Sequence, residues 1–169
     1  MAYLYIAGHK GVVDGLSKGG AVTGVVPRLI SRYCWNSPYT HISLPHIESH
    51  IGNPQEWVTW EAVSEGVVYG KMGTRSFDLY GYPLDRIEVD KAWAWLGARV
   101  GSKYDYWGLY GFLWRSDKYQ DPTKWMCSEL GAGALESIGK GFNWSVIRPH
   151  QISPKILLSI CDGPLMVGR

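Results

Sequence analysis

Lys124-Trp125-Met126-Cys127-Ser128-Glu129-Leu130, running on through Gly131-Ala132-Gly133-Ala134-Leu135-Glu136-Ser137-Ile138, reads as the first turns of a helix with a cysteine near its N-terminus. Asp121, Pro122 and Thr123 offer cap and first-turn chemistry just upstream. Leu130, Ala134, Leu135 and Ile138 recur with helical period and form one apolar face. Gly139 and Gly141 are suitable stops. A thiol at a helix start faces N–H groups with no intrahelical partner and the positive end of the dipole. Both favour thiolate, the nucleophilic form. Gly131 and Gly133 lack Cβ, so another element can approach this helix closely. The competing reading of Cys127 is a packing thiol, since free cysteine is among the most buried residue types.

A chain of 169 residues has room for one domain with a real core, and residues 1–169 are expected to form one. Hydrophobic residues make up 46% and charged residues 19%, which excludes a disordered polymer. The net charge of +2 is too small to argue for nucleic acid by its field. The aromatic set is skewed, with Trp 9 and Tyr 11 against Phe 3, and such rings build cores as well as grooves for amphipathic substrates. Most of Trp57, Trp60, Trp93, Trp95, Trp107, Trp114 and Trp125 read as core or pocket walls rather than base- or sugar-stacking rings.

Cys34, Cys127 and Cys161 are odd in number and scattered, giving neither a disulfide framework nor a CxxC pair. Reduced thiols point to the cytoplasm. Ala2 to Ala7 is too short for a signal segment and has no basic stretch before it. No apolar run approaches the roughly 18 residues of a spanning helix. Cys34, His41, His46 and His50 could be read as a metal cluster, but their mixed spacing and Pro45 speak against it; no metal or cofactor is expected.

Ala2 to Ala7 is a strand candidate, and Gly8 to Gly20 reads as a loop. A helix is expected around Val25 to Cys34, with Pro27 in its first turn and Cys34 in the core. Tyr39 to Leu44 alternates, with Thr40, Ile42 and Leu44 on one face and His41 and Ser43 on the other; Pro45 ends the run or marks an edge. Glu56 to Val63 alternates again, placing Glu61 where it can share a face with His41 if the two segments pair. Gly66 to Tyr69 and Asp85 to Val89 are further strand candidates. Asp90 would cap a helix to about Val100 that buries Ala92, Trp93, Leu96 and Val100. Ser102 to Asp105 leads into a helix with Tyr106, Leu109, Tyr110, Leu113 and Trp114, and Ser153-Pro154 opens a short last one. Strands followed by helices indicate an α+β fold: an antiparallel sheet packed against helices, with the cysteine helix buried on the sheet.

A cysteine nucleophile needs a base to take its proton and a third group to orient that base. His41, held on a strand, is the best base on offer, and Glu61 could accept the other imidazole N–H. Glu65 and Glu48 are alternatives for that third place, because the hairpin between His41 and Glu61 is long. The cysteine's own N–H, with the helix start behind it, would serve an oxyanion. On this reading Cys127 is a partly exposed thiol that gives little core volume.

Four segments in this order, THISL (40–44), WEAVSEGV (60–67), YDYWG (104–108) and WMCSEL (125–130), resemble the permuted branch of the NlpC/P60 superfamily, and within it the YiiX-like papain-fold cysteine hydrolases. In ordinary NlpC/P60 proteins the cysteine precedes the histidine; here His41 comes first, as in the permuted branch. The likeness runs from about Pro27 to Leu158 and takes in Ile152-Ser153-Pro154, which matches a proline-started helix after the cysteine helix. It implies a permuted NlpC/P60 fold with Cys127 as nucleophile, His41 as base and Glu61 as the third polar residue. Tyr104 would match a family tyrosine that helps the oxyanion or shapes the groove. The implied substrates are amides, such as peptidoglycan peptides, or lipid-like acyl esters. The alternative is a non-catalytic binding or structural module on the same fold, such as a cell-wall or phage component, which would place it in a virion or a host cell.

Overall fold

The computed structural model describes residues 1–10, 36–48, 53–72, 76–108, 118 and 120–168. Six strands form one sheet: β1 (Ala2–Lys10), β2 (Tyr39–His46), β3 (Val58–Val63), β4 (Gly66–Lys71), β5 (Phe77–Leu84) and β8 (Asp162–Gly168). Their order is β4-β3-β2-β1-β5-β8, and neighbouring strands run antiparallel. The helices are α1 (Arg86–Gly97), α2 (Cys127–Ser137) and α3 (Pro154–Leu158); β6 (Lys103–Tyr104) and β7 (Lys124–Trp125) form a short parallel pair. This is the expected α+β architecture, an antiparallel sheet with helices packed on it. Among the described residues no helix is long and apolar enough to cross a membrane.

Alternation along the strands divides the core in two. Leu4, Ile6, Ile42, Leu44, Trp60 and Ala62 meet the helices in the larger cluster, while Ala7, Trp57, Met72, Phe77 and Leu79 form a smaller cluster on the opposite face. β2 joins the halves of the sheet by changing partners. Its residues 39–43 pair with β1 and its residues 44–46 with β3. Pro45 sits opposite Thr59, beyond the β1 ladder, so its missing N–H can fall on a side where no hydrogen bond is due.

Three expectations are corrected. Asp85 to Val89 is not a strand: Asp85 caps α1, accepting from the Glu88 N–H at 2.7 Å, while the Glu88 carboxylate accepts from the Asp85 N–H at 3.1 Å. This reciprocal box starts the helix at Arg86, well before Asp90. Val89, Ala92, Trp93 and Leu96 are buried as one face, but Val100 lies past the helix end and is 47% exposed. Gly8 to Lys10, read as loop, continue β1 because Gly8 and His9 pair with strands on both sides. β5 and β8 had not been foreseen; each contains a proline and a glycine, Pro83 and Gly81 in one, Pro164 and Gly163 in the other, and both punctuate a strand pattern. The helix expected over Val25 to Cys34 lies outside the described residues, as do Leu109, Tyr110, Leu113 and Trp114 of the helix that opens at Tyr106.

α2 is buried from Cys127 to Leu135. Its two glycines explain how it can be. A Cβ on Gly131 would lie 2.7 Å from Leu157 Cδ2, and one on Gly133 would lie 2.6 Å from Trp95 Cη2 and 3.0 Å from Trp125 Cζ3. Gly133→Val is expected to lower stability by about 2 kcal/mol, or roughly 4–8 °C in Tm, through overpacking. An unchanged thermal melt would show that the two indoles yield freely.

Candidate active site

Cys127 is the first residue of α2. Asp121 does not cap this helix; it closes its own turn, accepting from the Thr123 N–H at 3.0 Å and the Thr123 hydroxyl at 2.6 Å and pairing with Lys124 at 2.8 Å. Lys124 and Trp125 are in β7, so the helix begins three residues later than the sequence suggested. Glu129 takes over part of the capping, its Oε2 accepting from the Met126 N–H at 3.1 Å.

The thiol lies where β2 has parted from β3. Ile42 is on the stretch of β2 that the β3 ladder does not reach, and its N–H donates to the Cys127 sulfur, as does that of Ser128. The sulfur thus takes a place that a neighbouring strand would otherwise fill. His41 projects to the other face from Ile42 and hydrogen-bonds the same thiol. Its Nε2 is 3.0 Å from Glu61 Oε2, which leaves Nδ1 for the sulfur. Extending the β2–β3 register makes His41 and Glu61 diagonal neighbours on one face, within reach of long side chains. Cys127 is 8% exposed, His41 6% and Glu61 2%. The thiol therefore belongs to the core cluster with Leu130, against the expectation of a partly exposed side chain.

Burial alone would raise the Cys127 pKa. The hydrogen bond and charge of His41, with the N–H groups of Ile42 and Ser128, outweigh it and bring the thiol below its usual range. For His41 burial works downward, but the hydrogen bonds and charges of Cys127 and Glu61 carry it up to about 9. The groups so placed favour a thiolate–imidazolium pair at neutral pH. Cys161 has no such partners: burial, with Asp162 adding, pushes it up to about 12.

Tyr104 stands beside this pair because β6 runs parallel to β7, setting it in register with Trp125. Burial first, then the charges of Cys127, Tyr106, Glu129 and Asp105, hold its hydroxyl protonated well above the usual tyrosine range. Asp105 is fully buried, accepting from the Gly108 N–H at 2.7 Å. Burial lifts Glu129 to about 8, against the Met126 N–H and with the Asp105 charge adding.

Glu65 and Glu48 are elsewhere. Glu65 accepts from its neighbour Ser64, and Glu48 pairs with His46 at 3.6 Å. His46 itself is ringed by Trp60, Trp93 and Tyr69. Cys34 and His50 lie outside the described residues. Among those described, no three His, Cys, Asp or Glu are gathered for a metal.

One residue was missed. His9 lies alongside His41 with ring centroids 5.5 Å apart, and its Nε2 is 2.7 Å from Ser43 Oγ. The signal available was the alternation of Ala7 and His9, hidden by reading Gly8 as the start of a loop. Compared with protein-family models and with curated proteins, the chain matches none.

Proposed function

We propose that the chain is a cysteine-dependent acyl hydrolase or acyltransferase, built on a permuted NlpC/P60-like arrangement in which a histidine strand precedes a cysteine helix. One observation carries the reading: His41 is held between Glu61 and Cys127, with Cys127 at a helix start. The thiolate attacks the carbonyl carbon of an amide or ester, forming a C–S bond. The negative oxygen of the tetrahedral intermediate takes N–H donors at the helix start, and the Tyr104 hydroxyl is a further donor of the right protonation state. His41 gives its proton to the departing amine or alcohol, leaving a thioester. Water or another acceptor, deprotonated by His41, then attacks the thioester and frees the acid and the thiolate. Peptidoglycan-type peptides and lipid-like acyl groups are the substrate classes the resemblance supports. A thiolate nucleophile works reduced, which fits a reducing compartment such as the cytoplasm.

The second reading is a non-catalytic binding or structural module, and the burial of Cys127 and His41 is the observation on its side. Thiol chemistry separates the two. At pH 7 a thiol at about 12 is ionised roughly one part in 10⁵. Cys127, its thiol held below the usual range, should therefore alkylate with iodoacetamide far faster than Cys161, with the rise of its rate displaced to lower pH. Incubation with acyl esters or peptide amides should leave an acyl adduct on Cys127, read by intact-mass and peptide mass spectrometry. Equal rates at both cysteines, or none at Cys127, would move the assignment to the binding module.

A further inference from the structure

A row of side chains crosses four strands on the face of the sheet that carries Ala7, Phe77 and Leu79. His9 of β1 lies opposite Phe77 of β5 on one side and opposite His41 of β2 on the other. Directly opposed residues of neighbouring strands stand close enough for their side chains to pack. Here the rings meet, with centroids 6.2 Å apart for Phe77 and His9 and 5.5 Å apart for His9 and His41. Glu61 of β3 ends the row, 3.0 Å from His41 Nε2. Ser43 lies opposite Ala7, two residues along β2 from His41 and on the same face. Its Oγ is 2.7 Å from His9 Nε2, and both residues are buried.

The bond to Ser43 fixes the tilt of the His9 ring, and Phe77 backs it. The ring then fills the space on the β1 side of His41. Rotation about Cα–Cβ between staggered positions is the motion by which an imidazole would leave Cys127 and Glu61. In the resting protein those two partners also hold it. They do not hold it equally throughout the proposed reaction. Once the sulfur is acylated it carries no charge, and His41 has passed on its proton. Glu61 and packing alone then keep the imidazole aimed at the water or other acceptor. On the reading of Cys127 and His41 as nucleophile and base, we propose that His9 is a positioning residue: a buried plane, anchored on Ser43, that stops His41 from swinging out of line with Cys127 and Glu61.

His9→Ala and His9→Gln test this. The measurements are acylation of Cys127 by p-nitrophenyl acetate, hydrolysis of that thioester, and the pH dependence of iodoacetamide alkylation. Cys161 in the same chain is the control for unfolding. Alanine opens the space beside His41. Hydrolysis of the thioester should slow about 10- to 100-fold, the scale on which a misplacement of about 1 Å acts. The rise of Cys127 alkylation should move up by about one pH unit as the thiolate loses its aligned imidazolium. Glutamine keeps most of the volume and a planar amide that reaches Ser43, so its rates and pH profile should stay close to the wild type's. Wild-type behaviour in His9→Ala, or a glutamine variant as impaired as the alanine one, would overturn the role of His9 while a selective Cys127 adduct in the wild type upheld the site. So would a fall in Tm that speeds Cys161 along with Cys127 and leaves the pH of the Cys127 rise unmoved. A wild type that forms no such adduct would overturn the reading of the site, and the role of His9 with it.

Discussion

Cys127→Ala and Cys127→Ser are expected to abolish the covalent adduct and to lower turnover at least about 10⁴-fold, the scale on which removing a nucleophile from a coupled site acts. Serine keeps a hydroxyl in place, but a hydroxyl does not ionise under the influence of His41 as a thiol does. The two variants should also melt lower than the wild type. Cys127 packs in the core cluster, so alanine removes buried contacts and costs about 1 kcal/mol. It also leaves His41 buried with one anionic neighbour in place of two, so the imidazole gives up its proton at lower pH than the wild type's value of about 9. The decisive comparison is turnover per folded molecule against Tm. Stability lost with specific activity retained would mean that Cys127 only packs.

Glu61→Gln separates holding the imidazole from charging it. Glutamine Oε1 can still accept from His41 Nε2–H, so the ring keeps a partner, but the negative charge is gone. Turnover should fall about 10²- to 10⁴-fold, as when the acid of a triad is replaced by its amide. The pH dependence carries the sign. The His41 pKa is raised above its usual 6.5, so its pairing stabilises the fold fully below that value and is lost as pH rises through about 9. In the glutamine variant the alkaline limb of activity and the alkaline loss of Tm should both move to lower pH. A pH–rate profile identical to the wild type's would reassign the orienting role.

The residues of the candidate site could be picked out because each lies in a regular local pattern. His41 and Glu61 alternate with apolar neighbours, and the apolar face after Cys127 is helical in period. The strand register then brings His41 and Glu61 to 3.0 Å. What could not be read depends on partners distant in the chain. Nothing local says that Glu129 would cap the cysteine helix while Asp121 turned back on Thr123 and Lys124. The depth of Cys127 follows from Gly131 and Gly133 admitting Leu157, Trp95 and Trp125, three side chains from three elements. Asp85 to Val89 misled because Ile87 and Val89 alternate like a strand, while the Asp85-x-x-Glu88 box that decides the matter is itself a local signal. β8 escaped because Gly163 and Pro164 look like the end of structure rather than the start of an edge strand.

The exchange of partners along β2 bears on how the fold breathes. The β3–β4 hairpin is tied to the rest of the sheet by a ladder of only three residue pairs, Leu44–Trp60, Pro45–Thr59 and His46–Val58. β1 and β5, by contrast, are paired along eight positions, from Ala2–Leu84 to His9–Phe77. Loosening of that short seam would carry Glu61 away from His41 while β1, β2 and β5 stayed zipped. On that account the hairpin is expected to open ahead of the rest of the sheet and to take the Glu61 partner of His41 with it. The frequency of that opening is readable as amide exchange in β3 that tracks the rate at which Cys127 loses its reactivity.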